Sequence, residues 1–281
     1  MKKLALIVLI AWVATSLIGC SKDSASSGVK VIDIPLTQEE YAFGVDKNQP
    51  ELLAEVNQFI AKIKSDGTLD NILNNYFGDG EPQAVSSVPL DSSKNQLVVA
   101  TNAAFEPFEY TKGDKYYGVD MEIADLLAKH LGKELVISNM DFDAVVLSVG
   151  QGKADIGMAG LTIKEERKQY VDFTDKYYDA AQKIIVKASD TTFDKSKAVA
   201  DVEAILSGLK SNQKVGFQTG TTAQFYVEGD EEWGFAGLTA KGVGYKSGSL
   251  AVQDMLNGNI DFVIIDEAPA QFIVKAMNEL N

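Results

Sequence analysis

Arg167 and Asp266 are candidate binding residues of opposite charge. An arginine guanidinium meets a carboxylate through two parallel hydrogen bonds in one plane. Asp266 ends the apolar run IDFVII, so it lies at the carboxyl end of a strand, where open α/β sheets bind ligands. A carboxylate in such a place is costly unless it is paired. Two plainer alternatives stay open: Arg167 is a surface residue beside Glu165 and Glu166, and Asp266 caps a helix over 267–280.

Two loops of small polar residues accompany this pair. Thr162 and Glu165 have the spacing of a capping box, which places Arg167 one turn into a helix. Free amide hydrogens near Thr162 would favour an anion. Thr221 and Thr222 follow Gly220 between a strand and a helix. Such a turn is a weak signal alone, because many strand-to-helix turns look alike.

The elements that must position these residues alternate between strand-like and helix-like patterns, which indicates α/β layers. The spacing of apolar residues predicts strands over 31–36, 41–45, 97–101, 134–140, 154–160, 183–188, 214–217 and 260–266. It predicts helices over 50–64, 69–76, 120–131, 144–149, from 163, and over 199–209, 250–256 and 267–280. Residues 79–95 have Gly, Pro, Ser and charge without periodicity, so we expect a mobile surface connector that belongs to neither core.

The first twenty residues have the pattern of a signal peptide. Lys2 and Lys3 precede a short apolar run that ends in LIGC at 17–20, which resembles a bacterial lipobox. We therefore expect lipidation of Cys20 and a flexible tether over 21–30; the alternative is an ordinary signal peptide with a chance cysteine. Cys20 is the only cysteine and His130 the only histidine, which makes a metal site improbable.

The net charge of the chain argues against some classes of binding partner. Acidic residues outnumber basic ones by 40 to 26, and removal of Lys2 and Lys3 gives 24 − 40 = −16. A surface with this much negative charge argues against nucleic acid as a binding partner and against electrostatic docking on anionic lipid.

Four motifs, in order and spacing, resemble the bacterial extracellular solute-binding proteins of the polar amino-acid class, the receptors of ABC importers. They are GVDMEIADLLAKHL (118–131), AGLTIKEERKQYVDFTDKYY (159–178), QTGTTAQ (218–224) and IIDEAPA (264–270). Val119 departs from the pattern, since a larger apolar residue is usual there. The resemblance implies an α/β fold of the two-lobed periplasmic binding protein type (type II), with two mixed sheets, flanking helices and a two-strand hinge.

The resemblance also implies a site for a free L-amino acid between the lobes. Arg167 would bind the carboxylate and Asp266 the ammonium, with Gly160, Leu161, Thr162, Thr221 and Thr222 around them. The side-chain pocket would be lined by Asn102, Phe105, Phe142 and Gln218, although the two aromatic residues are also typical of a core. The neutral Asn102 weakens the case for a basic ligand, and Glu106 would restore a charge nearby.

One feature departs from the family. The stretch EVNQFIAKIKSDGTLDNILNNYFG (55–78) resembles the end of a family member, and it stands in the first third of the chain. We interpret this order as a circular permutation in which 79–95 joins the ancestral termini. Lobe 1 would then comprise 42–180 and lobe 2 would comprise 31–40 plus 181–281, with hinge strands near 37–41 and 177–181.

We therefore expect a monomeric, lipid-anchored, extracytoplasmic receptor that delivers an amino acid to an ABC permease, without cofactor, metal or catalysis. Two alternatives remain: a sensor with the same ligand but no transport, and an enzyme like cyclohexadienyl dehydratase. The enzyme would need a general acid, for which Glu106 is the obvious candidate.

Overall fold

A computed structural model describes residues 28–279; the predicted signal peptide, Cys20 and most of the tether lie outside them. The strands of this part are β1 (Val29–Ile32), β2 (Glu39–Tyr41), β3 (Gly44–Asp46), β4 (Gln96–Thr101), β5 (Ala104–Phe105), β6 (Glu109–Lys112), β7 (Lys115–Tyr117), β8 (Glu134–Asn139), β9 (Ile156–Gly157), β10 (Val171–Phe173), β11 (Tyr178–Ala180), β12 (Gln182–Lys187), β13 (Lys214–Gln218), β14 (Lys241–Tyr245) and β15 (Phe262–Asp266).

The helices between them are α1 (Pro50–Ser65), α2 (Thr68–Phe77), α3 (Val119–His130), α4 (Phe142–Gly150), α5 (Glu165–Lys168), α6 (Val199–Ser207), α7 (Thr222–Glu228), α8 (Gly248–Leu256) and α9 (Glu267–Glu279). The longer helices follow the apolar spacing of the sequence. In α1 the apolar residues recur every three or four positions, and Leu52, Val56, Phe59, Ile60 and Ile63 are buried.

Two five-stranded mixed sheets divide the molecule into two lobes. Lobe 1 is built around the sheet β10–β3–β9–β4–β8 and lobe 2 around β1–β12–β15–β13–β14. In both, parallel pairs such as β4–β8 and β13–β15 lie beside antiparallel ones such as β3–β9 and β12–β15. The predicted α/β, two-lobed architecture is confirmed, while the exact lobe boundaries remain a prediction.

The lobes are connected through a short antiparallel pair, β2 with β11, in which Tyr41 lies opposite Tyr178 and Glu39 opposite Ala180. These strands lie where the hinge was predicted. The ring of Tyr41 is fully buried and packs edge-on against Phe108, with the ring centroids 5.1 Å apart. The hinge is therefore part of a continuous apolar core rather than a free linker.

The segment 79–95 corrects one prediction. Val85 is only 3% exposed and forms a two-bond bridge with Tyr116, so the segment contributes to the core of lobe 1. Val88 donates its backbone N–H to Leu135, and Ser87 accepts the N–H of Ile137 at 2.8 Å. Because β8 is the edge strand of its sheet, its free backbone groups offer the segment partners that composition alone does not reveal.

Two smaller predictions also change. The tether was predicted to run to residue 30, but β1 already begins at Val29, where it pairs with Lys187 of β12. The helix predicted from residue 163 is only the single turn of α5, and its N-cap residue is Lys164 rather than Thr162. Thr162 therefore lies one residue too early to cap α5, and its hydroxyl donates to the buried Glu39 carboxylate at 2.7 Å.

Candidate functional site

A small cavity lies between the lobes. Eight of the eleven residues predicted for the ligand site line it: Phe105, Phe142, Gly160, Thr162, Arg167, Thr221, Thr222 and Asp266. They come from β5, α4, the loop after β9, α5, α7 and the end of β15. The carboxyl ends of the strands converge here, as expected for an open α/β sheet.

Arg167 forms the lobe 1 wall of the cavity and contacts both lobes. One Nη donates to the Thr162 carbonyl at 2.7 Å, and the other donates to the Gly220 carbonyl at 2.9 Å. The guanidinium carbon lies 5.4 Å from the centre of the Phe142 ring. Burial lowers the pKa of Arg167, while the charges of Glu39 and Asp266 oppose that shift. Since a guanidinium has five N–H donors, this arrangement leaves donors for a carboxylate.

Asp266 forms the opposite wall, as the last residue of β15, and is 4% exposed. Its Oδ1 accepts the Tyr41 hydroxyl at 2.5 Å. Burial, with a further contribution from the charge of Glu39, raises the pKa of Asp266 to about 7, against the lowering effect of its hydrogen bonds with Tyr41 and Gln182. Within residues 28–279, neither Asp266 nor Arg167 has an ion-pair partner. The cavity therefore has one wall for an anion and one for a cation.

The loops that carry the two walls depend on glycine. Gly160 has φ +54°, and a Cβ there would lie 3.0 Å from the Phe105 ring. Its N–H donates to Oδ2 of the buried Asp120 at 2.9 Å, which fixes the loop to α3. Gly220 has φ +82° and lies against Asp143 of the other lobe, where a Cβ would be 3.2 Å away. Both positions need the left-handed conformation that glycine adopts without strain.

Three predicted site residues do not line the cavity. The Gln218 amide donates to Oδ1 of Asn102 at 2.8 Å, so these two residues bind each other across the lobes. Asn102 in turn donates to the Met140 carbonyl at 2.7 Å. Leu161 is 1% exposed and packs in the apolar core with Val145.

The sequence reasoning missed several polar residues beside the cavity. Glu39, Asp120 and Gln182 are buried there, and Lys164 is buried at the edge of the cleft. Glu39 and Lys164 stand in charged stretches, QEEY and KEERK, that look like solvated surface. Asp120 belongs to the 118–131 motif, and the match of that motif to the family was the one sequence feature that pointed to this residue.

Two further findings concern the described part of the chain. In the part of the chain that the structure describes, no group of three or more His, Cys, Asp or Glu residues could hold a metal ion. Over the same residues, no helix is both long enough and apolar enough to cross a membrane.

The model of the bacterial extracellular solute-binding proteins, family 3, matches residues 7–79 and 97–233, which is well over half of the sequence. The chain belongs to this family. It is 31% identical over 193 residues to the arginine-binding extracellular protein ArtP of Bacillus subtilis (strain 168), covering 68% of each protein. It is 29% identical over 178 residues to the ABC transporter arginine-binding protein 1 of Escherichia coli (strain K12), covering 63% of this chain and 65% of that protein.

Solved structures agree with these relatives. An ancestral arginine-binding protein bound to arginine is 33% identical, with a TM-score of 0.53, covering 65% of this chain and 75% of the other. The ancestral amino-acid-binding protein AncCDT-1, a precursor of cyclohexadienyl dehydratase, is 32% identical with a TM-score of 0.55, covering 65% and 74%. By name, all four are binding proteins. Membership of a solute-binding family agrees with the binding function that the sequence predicted.

Proposed function

We propose that this protein is a lipid-anchored, extracytoplasmic receptor that captures one free L-amino acid between its lobes and delivers it to an ABC importer. The observation that carries the proposal is the pairing of Arg167 and Asp266: both are buried, they line one cavity from opposite lobes, and neither has an ion-pair partner within residues 28–279. An amino acid carries both complementary charges.

The ligand's carboxylate would meet Arg167 and its ammonium would meet Asp266. Both contacts exist together only when the lobes are closed, so the ligand stabilises the closed form by its differential affinity. Phe105 and Phe142 would enclose its carbon chain. The relatives named for arginine make arginine the first ligand to test, while the neutral Asn102–Gln218 pair beside the cavity favours a neutral, hydrogen-bonding side chain.

Delivery and anchoring rest on other observations. One relative is named as an ABC transporter binding protein, and this supports an importer as the partner. The LIGC sequence at 17–20 supports a lipid on Cys20 as the membrane anchor. The amino-acid sensor without transport uses the same cavity, and a neighbouring permease gene would distinguish the two roles.

The proposal includes the circular permutation. The Asn278 side-chain oxygen accepts the Val29 backbone N–H, and its nitrogen donates to the Val29 carbonyl, both at 2.9 Å. The two ends of the described chain are therefore adjacent. Residues 80–96, which lie between the two segments matched by the family model, coincide closely with the proposed connector. A permuted chain would align with an unpermuted relative over only part of its length, and the 63–68% coverage of this chain supports the permutation in that sense.

A thermal-shift screen of the twenty amino acids, followed by calorimetry, tests the function. A ligand at one hundred times its dissociation constant should add about 2.7 kcal/mol to the free energy of unfolding. The Asp266→Asn variant should lose this stabilisation at the same ligand concentration. A screen in which no amino acid stabilises the folded wild-type protein would refute the proposed function.

A further inference from the structure

Glu39 of the hinge strand β2 is a buried carboxylate that the proposed function does not use. It is 4% exposed. Its Oε1 accepts the Thr37 hydroxyl at 2.6 Å and the Gln182 amide at 2.9 Å, and its Oε2 accepts the Thr162 hydroxyl at 2.7 Å. Within residues 28–279 it forms no ion pair. Burying a carboxylate without a cation is costly, so its presence at the hinge calls for a reason.

The hydrogen bonds of Glu39 lead to both charged walls of the cavity. Thr162 lines the cavity, and its carbonyl holds the Arg167 guanidinium at 2.7 Å. Gln182 lies opposite Asp266 in the β12–β15 ladder. Glu39 is therefore in contact with a neighbour of each wall.

The charges around Asp266 do not balance. The titratable groups that face it from the neighbouring elements are Glu39, Tyr41, Glu109, Arg167 and Tyr178. Burial, reinforced by Asp120 and Asp266, raises the pKa of Glu109 well above its usual range, and the two tyrosines also have raised pKa values, so these three groups are neutral. Among the groups that face Asp266 within residues 28–279, Arg167 is then the one cation beside the two carboxyl groups of Glu39 and Asp266.

We propose that Glu39 is a positioning residue of the amino-acid site: it holds Thr162 and Gln182 in place, and its charge keeps a proton on Asp266 until the ligand's ammonium replaces that proton. The inference rests on the proposed function. The ligand arrives with its ammonium intact, the O–H bond of the Asp266 carboxyl breaks, and the proton passes to the buffer. No other bond changes.

The consequence is a pH dependence of definite sign. In the empty site the pKa of Asp266 is raised to about 7, chiefly by burial and then by Glu39. An ammonium beside the carboxylate favours its ionised form and lowers that pKa. Binding therefore releases a proton near neutral pH, and affinity rises as the pH rises through 7.

The first test needs no ligand. Carbon-13 NMR of the labelled protein follows the Asp266 carboxyl from pH 4 to pH 9, with its signal assigned by its loss in Asp266→Asn. In the wild type the midpoint should lie near 7, and Glu39→Gln, which keeps the size of the side chain and removes its charge, should lower it by about one unit or more. Glu39→Asp keeps the charge and should restore most of the shift. A midpoint that is the same in wild type and Glu39→Gln would overturn the inference.

The second test is calorimetry with L-arginine and L-glutamine, each in two buffers of different ionisation enthalpy. The wild type should release most of one proton per ligand at pH 6 and about a tenth of a proton at pH 8. Glu39→Gln should release about half as much or less at pH 6, and Glu39→Asp should bind more weakly with proton release retained. Proton release unchanged in Glu39→Gln would contradict the inference. If no amino acid binds, the proposed function fails, and the NMR midpoint still decides whether Glu39 controls Asp266.

Discussion

Lys164 of lobe 1 lies 3.0 Å from Asp230 of lobe 2, although its side chain is only 4% exposed. The same ammonium is 3.1 Å from Glu232 and lies 4.6 Å above the Phe225 ring, and both of these residues are in lobe 2. Burial by itself would lower the pKa of Lys164, but its carboxylate partners raise it overall, so it stays charged. This ion-pair cluster connects the lobes at the edge of the cleft, outside the ligand cavity.

Removing Lys164 should therefore weaken ligand binding without touching the ligand. In the closed form, Lys164→Met removes the cation that Asp230 and Glu232 share, whereas the open form loses nothing because the pairs do not exist there. The free energy of closure should become less favourable by about 1–2 kcal/mol, a value between those of exposed and buried ion pairs. Affinity should fall roughly 5- to 30-fold. Small-angle scattering should show a less compact protein at a ligand concentration that closes the wild type.

Lys168→Met is the matched control, because Lys168 is exposed and pairs with Glu165 of its own helix. Its affinity should stay near that of the wild type. High salt should weaken wild-type binding more than binding by Lys164→Met, since salt screens the cluster that the variant lacks. Equal affinity of Lys164→Met and wild type at low salt would show that the cluster does not favour closure.

Substitution of either charged wall should have a larger effect. Arg167→Ala and Asp266→Asn each leave one charge of the bound zwitterion buried and unpaired, which typically costs about 2–5 kcal/mol. That corresponds to a loss of roughly 30- to 4000-fold in affinity, measured by calorimetry on folded protein. His130→Ala, at the exposed end of α3, should change affinity little. Near-normal affinity in Arg167→Ala would remove the central residue of the proposed site.

Without ligand, the protein should become less stable as the pH rises from 5 to 8. Burial raises the pKa of Asp120 to about 7, and the pKa of Asp266 is also raised to about 7, so the folded form holds protons that the unfolded chain has released. Stability is then greatest below the unfolded pKa of these groups and is lost as the pH rises through 7. The total loss should be on the order of a few kcal/mol.

Urea unfolding at pH 5, 6.5 and 8 measures this dependence. Asp266→Asn should make this dependence about half as steep, because Asp120 still titrates while Asp266 no longer does, and the Asn oxygen can still accept the Tyr41 hydroxyl. A free energy of unfolding that increases from pH 5 to pH 8 in the unliganded wild type would contradict the assignment of buried, protonated carboxyls.

Much of the fold could be predicted because long apolar repeats determine it. The helix predicted over 50–64 is α1 (Pro50–Ser65), and the strand predicted over 260–266 is β15 (Phe262–Asp266). The β5–β7 hairpin and β14 had no such signal, since their strands are short, half-exposed or rich in glycine. Local periodicity cannot detect strands whose partners lie elsewhere in the chain.

The residues of the candidate site also fall into those that the sequence could predict and those that it could not. Arg167 and Asp266 were found because motif and strand position agreed, whereas Glu39 and Lys164 were missed because burial of a charged residue depends on tertiary contacts. Asn102 and Gln218 were assigned to the cavity, but their amides satisfy each other across the cleft. Such pairing can be recognised only from coordinates, since the two residues are 116 positions apart.

The lipid anchor gives a separate prediction. The mature protein should begin at Cys20 and carry a diacylglyceryl group, which mass spectrometry of the membrane fraction would detect. Cys20→Ser should be released in soluble form and should bind the same amino acid with unchanged affinity. An unmodified Cys20, or cleavage at another residue, would exclude this anchor.

Reversing the proposed permutation tests the gene order. The new chain would start at Glu81, continue to Glu279, pass through a short Gly-Ser linker to Gly28, and end at Gly80. The linker spans ends that are already hydrogen-bonded through Val29 and Asn278, and the cut leaves the contacts of Val85 and Val88 with lobe 1 intact. We expect this chain to fold, to bind the same ligand, and to align with its relatives over more of its length than the 63–68% found for the present order.

The control for this experiment has the same linker between Glu279 and Gly28, but its chain is cut between Gly113 and Asp114. That cut opens the β6–β7 hairpin, whose strands are paired from Tyr110–Tyr117 to Lys112–Lys115. It should lower the free energy of unfolding more than the cut before Glu81, because it breaks a closed hairpin instead of a connector. If the control folds and the chain that starts at Glu81 does not, our account of the gene order is wrong.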